Sequence, residues 1–284
     1  MDNTIQLSNG RTLAYAEYGD PLGKPIFFFH GIPGSRYFRP PDEITEKMGV
    51  RLICVDRPGY GRSDFQPGRR ILDWPDDITQ LADALDIKNF TVAGHSGGGP
   101  YVAACAYKLT NRITTAAILC GIRPLDTPEA VQGMWGMNRI GFQVGRWMPW
   151  LLWRAAIWLF FHKGHDDPET VMERDAKYRP PADEVLFSQP EIRTVCYQST
   201  REGFRQGTRG HAWEAQLVCR PWGFRLEDIH VPVYLWHGED DNMTPITMGR
   251  YVASKIPNCR ATFCKGEAHL LIFPHWEEIL RTLI

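Results

Sequence analysis

The sequence has no apolar run long enough to cross a membrane. Its most hydrophobic stretch, from Trp147 to Phe161, is 15 residues of nearly continuous apolar character, whereas a spanning helix needs about 20. Residues 1–20 also lack the basic start and the apolar core of a secretory signal. We therefore expect a cytoplasmic protein without a membrane span.

An excess of charge of either sign is also missing. The chain carries 32 lysines and arginines against 33 aspartates and glutamates, for a net charge of -1. Nucleic acids and anionic membranes attract proteins through a basic excess. We therefore expect no nucleic-acid partner, and a neutral small molecule is the substrate that best fits this balance.

Signatures of cofactor binding are absent as well. The chain contains neither a P-loop nor a dinucleotide-binding glycine fingerprint. His162 and His165, with Asp166 and Asp167, resemble a metal cluster only loosely, and a solvated loop explains them better. We expect no cofactor and no metal.

Short apolar and β-branched runs alternate with helical segments along most of the chain. This rhythm predicts an α/β fold, with a mainly parallel sheet, helices on both faces and an antiparallel edge formed by the opening residues. The predicted parallel strands are Ile26 to Phe29, Leu52 to Val55, Thr91 to Ala93, Ala116 to Leu119, Val233 to Leu235 and Ala261 to Phe263.

The rhythm breaks between residues 124 and 220, where the sequence is helical in character and rich in tryptophan. We interpret this block as a helical cap inserted into a catalytic core made of residues 1–123 and 221–284. The apolar helix around Trp150 and Trp153 forms the core of the cap or also lines a pocket for an apolar substrate. Those two tryptophans are our candidate substrate-binding residues, and the cap surface is one place where a homodimer could form.

The segment from Val92 to Pro100 has the pattern of a nucleophile elbow. A short buried strand ends at Ser96, glycines flank that serine, and Pro100 suits the first turn of a helix. Turning from strand to helix within about four residues strains the serine backbone and needs glycine neighbours. The pattern predicts a catalytic serine with an accessible hydroxyl.

A serine nucleophile needs a histidine base and a carboxylate that orients it, and both follow predicted strands. The strand from Val233 runs into a loop that contains Asp240 and Asp241, and His269 comes shortly after the strand that ends at Phe263. Because parallel strands end at one edge of a sheet, these groups can meet.

The order serine, aspartate, histidine, carried within a set of five motifs, resembles the α/β-hydrolase superfamily over nearly the whole chain. The motifs are His30-Gly31-Ile32-Pro33-Gly34-Ser35, Asp56-Arg57-Pro58-Gly59-Tyr60-Gly61-Arg62-Ser63-Asp64, the Ser96 elbow, the Gly238 to Pro245 loop, and Gly266-Glu267-Ala268-His269. The resemblance implies an eight-stranded type of sheet. Its acid spacing selects Asp241 over Asp240, and Asp126 is a further candidate because some members of the superfamily place the acid after the strand that here ends at Leu119.

The same resemblance implies an oxyanion hole made by the main-chain N–H groups of Ile32 and Gly97. A serine at the elbow, where some members carry aspartate, implies acyl chemistry on an apolar ester or lactone through an acyl-enzyme intermediate. Acyl transfer, carbon–carbon bond hydrolysis and a hydrolase-like small-molecule receptor remain alternatives on the same scaffold.

Supporting roles are expected for the other motif residues. We expect His30 and His95 to orient backbone and not to transfer protons, and His237 to pack at a strand end. Asp56 and Arg57 are expected to brace a turn.

Overall fold

The computed structural model describes residues 2–145, 147–161, 170, 173 and 176–284. Its centre is an eight-stranded sheet in the order β1-β2-β4-β3-β5-β6-β7-β8. β1 and β2 run antiparallel to their neighbours, and β3 to β8 are mutually parallel. The strands are β1 Asp2–Gln6, β2 Thr12–Gly19, β3 Lys24–Phe29, β4 Val50–Val55, β5 Phe90–His95, β6 Ile113–Leu119, β7 Val233–Gly238 and β8 Cys259–Cys264.

Helices cover both faces of this sheet, which confirms the predicted fold class. Side chains alternate along β3: Phe27 and Phe29 pack into the core on one face, and Phe28 packs into the core on the other. The sequence of a parallel strand that is buried on both faces is a continuous run of apolar residues. The helices of the layers are α1 Asp42–Lys47, α2 Trp74–Ala84 and α3 Gly99–Lys108.

Between β6 and β7 the described residues form helices and no strand. They are α4 Gly136–Gly145, α5 Trp150–Phe161, α6 Pro181–Phe187, α7 Pro190–Gly203 and α8 Arg209–Val218. After β7 the layers are completed by α9 Ile246–Lys255 and α10 Trp276–Leu283. In the part of the chain that the structure describes, no helix is both long enough and apolar enough to cross a bilayer.

Helix α5 buries only one of its faces. Trp153 and Ile157 pack against Ala212 and Ala215 of α8, whereas Trp158 is 51% exposed. Among the described residues, therefore, only some of the apolar side chains of this helix are packed against other parts of the protein. Leu151, Leu152 and Leu159 are also exposed.

The functional candidates follow the carboxyl ends of the parallel strands. Ile32 follows β3, Ser96 follows β5, Asp241 follows β7 and His269 follows β8. In open parallel sheets, the carboxyl edge is where ligand crevices form. The topology thus places all four residues on the same edge of the sheet.

Candidate active site

The turn at Ser96 is as tight as the elbow pattern predicts. Ser96 has a φ of +54°, in the left-handed region that non-glycine residues rarely occupy. A Cβ atom built on Gly98 would lie 2.2 Å from the carbonyl oxygen of Phe29, so only glycine fits there. A short 3-10 turn from Ser96 to Gly98 leads directly into α3. The strained backbone is held by the surrounding strand and helix.

Asp241 and His269 form a close pair. Asp241 Oδ2 lies 2.7 Å from His269 Nδ1. The loops that carry them meet because Gly238 has no side chain: a Cβ atom there would lie 2.4 Å from the carbonyl oxygen of Glu267. The imidazole therefore donates its Nδ1–H to the carboxylate, and Nε2 remains as the basic nitrogen.

Three further hydrogen bonds fix the Asp241 carboxylate. The main-chain N–H groups of Met243 and Thr244 donate to Oδ1 at 2.8 and 2.9 Å. The Thr244 hydroxyl lies 2.8 Å from Oδ2, 3.2 Å from His269 Nδ1 and 2.9 Å from the carbonyl oxygen of Cys120. Sequence reasoning missed Thr244, although its place three residues after the acid was a usable signal for a local side-chain hydrogen bond.

The electrostatics of the pair favour an ionised acid beside a basic imidazole. Burial raises the pKa of Asp241, but the positive charge of His269 and its hydrogen bond outweigh burial and hold that pKa at about 2. Burial lowers the pKa of His269, yet the charge and hydrogen bond of Asp241 raise it above its ordinary value. The carboxylate thus stabilises an imidazolium at position 269.

The other acid candidates lie elsewhere. Asp240 is exposed, and its main-chain N–H donates to the carbonyl oxygen of Glu267. Asp126 lines a separate groove beside Trp222 and Tyr251. Of the three aspartates considered, Asp241 is the one in contact with His269.

The loop after β3 is held by a buried arginine. Arg57 donates from Nη2 to the carbonyl oxygen of Gly31 at 2.9 Å and from Nη1 to that of His30. The His30 ring bonds to the carbonyl oxygen of Gly31 and accepts the N–H of Arg57. This loop leads to Ile32, and a Cβ atom built on Gly97 would lie 2.3 Å from Ile32 Cγ1. The two proposed oxyanion donors therefore belong to residues in close contact.

Glu214 of α8 compensates the charge of this arginine. Its carboxylate lies 2.5 Å from Arg57 Nε and 3.7 Å from Arg69 Nη2, and all three side chains are buried. Burial raises the pKa of Glu214, but the two guanidinium charges lower it below its ordinary value. The sequence gives no local sign of a pair whose members are separated by 157 positions.

Removing the Glu214 charge is expected to be costly. In Glu214→Gln two arginines stay buried without an anion, and we expect the free energy of unfolding to fall by about 3 to 5 kcal/mol. Urea denaturation measures this loss. The matched control is Asp83→Asn, which breaks an ion pair with Arg112 whose acid is 62% exposed and should cost less than about 1 kcal/mol. Equal losses of unfolding free energy in Glu214→Gln and Asp83→Asn would contradict the role of Glu214 as the counter-ion of the two buried arginines.

A cavity of about 500 Å³ opens at the carboxyl edge. Ser96, His269 and Ile32 line it, together with Trp153 of α5. Trp150, the other tryptophan predicted to bind substrate, is not among the lining residues. Its ring packs against Phe65 and Trp213 instead, with centroids 6.5 and 5.9 Å away.

Asp183 is a cavity residue that sequence reasoning did not single out. It lies in α6, is only 3% exposed, and accepts the main-chain N–H groups of His269 and Leu270. Burial raises its pKa to about 6, against the lowering effect of the His269 charge. No periodicity or motif links it to a histidine 86 positions away.

Two histidines near the site have their hydrogen bonds to backbone. His95 Nε2 lies 2.8 Å from the carbonyl oxygen of His269, and the two rings are 4.6 Å apart. Burial and the His269 charge lower the pKa of His95 to about 3, so its ring stays neutral. His237 Nε2 lies 2.6 Å from the carbonyl oxygen of Thr244.

Within the described ranges, one group of side chains offers three metal-ligand atoms. Those of Cys120, Asp241 and His269 lie within 4.8 Å of one another. Burial raises the pKa of the Cys120 thiol well above its usual range, and the other two residues already bond to each other. This chemistry favours an acid–histidine pair over a metal centre. His162, His165, Asp166 and Asp167 lie outside the described residues.

Known proteins share this architecture. Residues 24–143 match the family model of the alpha/beta hydrolase fold. The chain is 32% identical over 250 residues to a non-heme chloroperoxidase from Burkholderia pyrrocinia, covering 82% of this chain and 80% of that protein.

Two further relatives span almost the full length. A bifunctional esterase/perhydrolase from Acinetobacter calcoaceticus is 25% identical over 290 residues, covering 99% of this chain and 97% of that protein. The structure of a hydrolase from Pseudomonas aeruginosa superposes with a TM-score of 0.71 at 19% identity, covering 99% of this chain and 96% of that one. Together with the serine elbow and the sheet order, these matches show that the chain belongs to the α/β-hydrolase family of enzymes.

Proposed function

We propose that this protein hydrolyses a small, apolar carboxylic ester or lactone through an acyl-enzyme intermediate on Ser96. One observation carries the proposal: the strained serine opens into the same cavity as a histidine whose Nδ1 is held by a buried aspartate. The curated relative named an esterase supports the reaction class.

The first half of the reaction acylates the serine. The Ser96 oxygen attacks the carbonyl carbon while His269 Nε2 takes the hydroxyl proton, and the carbonyl π electrons move onto oxygen. The main-chain N–H groups of Ile32 and Gly97 receive this oxyanion, and each such donor contributes about 3 kcal/mol. The imidazolium then protonates the leaving alkoxide as the carbon–oxygen bond breaks.

The second half releases the acid. His269 removes a proton from water, whose oxygen attacks the acyl carbon, and the bond to Ser96 breaks as the serine regains its proton. Asp241 stays ionised throughout and stabilises the imidazolium. The Ser96 hydroxyl has no hydrogen bond to another described residue, and we expect its hydrogen bond to His269 Nε2 to form in the substrate complex, as is common for catalytic hydrogen bonds.

The cavity supports an apolar substrate of modest size. Its volume of about 500 Å³ lies in the range of small-molecule sites. Apolar side chains dominate its walls, among them Ile122, Phe142, Trp153, Ile157 and Phe187. Several of these come from helices between β6 and β7, so we propose that residues 124–220 act as a cap on a core of residues 1–123 and 221–284.

A panel of p-nitrophenyl esters and lactones tests the function. We expect turnover of short and medium acyl chains, falling for chains too long for the cavity, with the free acid as product. Chelators should leave the rate unchanged. Product analysis with added alcohol distinguishes acyl transfer, and a 1,3-diketone tests carbon–carbon cleavage. Tight binding of these compounds without any turnover would overturn the proposal in favour of a receptor.

A further inference from the structure

The turn that carries His269 is attached to helix α6 by a single carboxylate. Asp183 Oδ2 accepts the N–H of His269 at 3.1 Å, and Oδ1 accepts the N–H of Leu270 at 2.8 Å. Both donors lie in a turn after β8 and not in a helix or strand. The orientation of the His269 main chain therefore depends on a residue from the segment between β6 and β7.

The charge of Asp183 is buried without a conventional counter-ion. No lysine or arginine of the described residues forms an ion pair with it. Arg179 lines the same cavity, but its guanidinium pairs with Glu184 at 2.7 Å. The titratable groups that interact with the charge of Asp183 are His269 and Asp241 after β8 and β7, Cys120 after β6, and Cys196 of α7. His269 is the only one of these that can become positive. Its protonation is thus the event that compensates the buried carboxylate.

A neutral side chain could satisfy only part of this arrangement. An asparagine offers one oxygen acceptor, and its NH₂ group would face the second N–H donor. A buried carboxylate costs free energy unless hydrogen bonds and an opposite charge offset that cost. The N–H groups of His269 and Leu270 supply the hydrogen bonds, and an imidazolium at position 269 supplies the opposite charge.

We propose that Asp183 is a positioning residue for catalysis, which fixes the turn bearing His269 and stabilises the imidazolium together with Asp241. This proposal rests on the proposed function of His269 as the base. It makes α6 a part of the catalytic apparatus: a cap that is displaced from the core would also release the histidine.

The test is Asp183→Asn, read out first by the NMR titration of the His269 ring, assigned with His269→Ala. The Asp183 charge raises the pKa of His269, so removing it should lower that pKa by about half a unit or more. The acidic limb of kcat/KM reports the base of the free enzyme and should move to lower pH by the same amount. We expect kcat to fall about tenfold through mispositioning, with KM changed much less.

Two variants serve as controls. Glu191→Gln removes an exposed acidic charge at the start of α7 and should leave both the titration and the rates at wild-type values. Asp183→Glu keeps the charge but displaces the carboxylate, so kcat should fall while the acidic limb stays in place. If Asp183→Asn does not fold, Asp183→Glu still tests the positioning role of Asp183. A wild-type kcat in Asp183→Glu would overturn the proposal.

The outcomes separate this inference from the proposed function. The NMR titration needs no substrate, so absence of ester turnover would refute the function while the titration still tests the influence of Asp183 on His269. If esters are turned over but Asp183→Asn leaves the His269 titration and kcat unchanged, only the role of Asp183 is refuted. A loss of thermal stability alone, with both readouts unchanged, would mean that Asp183 only supports the fold.

Discussion

Ser96→Ala is expected to reduce ester hydrolysis by at least about 10⁴-fold, because the proposed acyl bond forms on the Ser96 oxygen and alanine has no nucleophilic atom to replace it. Alanine removes the oxygen and leaves the cavity otherwise unchanged, so substrate binding should survive. Steady-state hydrolysis of p-nitrophenyl acetate measures the rate, and equilibrium binding of a product acid checks the cavity.

A second hydroxyl in the same cavity provides the control for this variant. Thr200 lines the cavity, and Thr200→Val removes its hydroxyl at nearly constant volume. This variant should keep most of the wild-type rate, since the proposed reaction makes no use of Thr200. A Ser96→Ala protein as active as Thr200→Val would remove Ser96 from the role of nucleophile.

Asp241→Asn and Asp240→Asn are expected to differ widely in kcat, although the two residues are neighbours. The amide in Asp241→Asn no longer stabilises the imidazolium and disturbs the tautomer of His269, so we expect a loss of about 10³- to 10⁴-fold. Asp240 is exposed and does not contact the imidazole, so Asp240→Asn should remain near the wild-type value.

The comparison uses kcat for one ester at a pH above the titration of His269. Thermal unfolding of both variants should show that each is folded, since the change is isosteric. A large loss in Asp240→Asn with little loss in Asp241→Asn would reverse the assignment of the acid. Similar small losses in both would show that the carboxylate next to His269 does not act in catalysis.

Much of the site could be predicted because its signals are local. The elbow at Ser96 is encoded by consecutive residues, which comprise a buried strand, glycines that permit close approach, and a proline in the first helical turn. Strand ends placed Asp241 and His269 on one edge of the sheet because parallel strands share that edge. The acid spacing then selected Asp241, and the structure places that residue against His269.

The remaining contacts depend on how distant segments pack. Asp183 is 86 positions from His269, and Glu214 is 157 positions from Arg57. A local sequence pattern cannot predict contacts between residues so far apart in the chain. The two tryptophans of α5 illustrate the same point. Trp150 and Trp153 are both aromatic and three positions apart, yet only Trp153 lines the cavity, because the Trp150 ring packs against Phe65 and Trp213.

The role of Ser96 as the nucleophile is measured most directly by the mass of the protein after reaction with a fluorophosphonate, followed by peptide mapping. We expect one adduct per chain, on the peptide that contains Ser96, formed rapidly in the wild type, slowly in Asp241→Asn and not at all in Ser96→Ala. An adduct on any other residue, or a folded wild-type protein that turns over esters without becoming labelled at Ser96, would show that Ser96 is not the nucleophile.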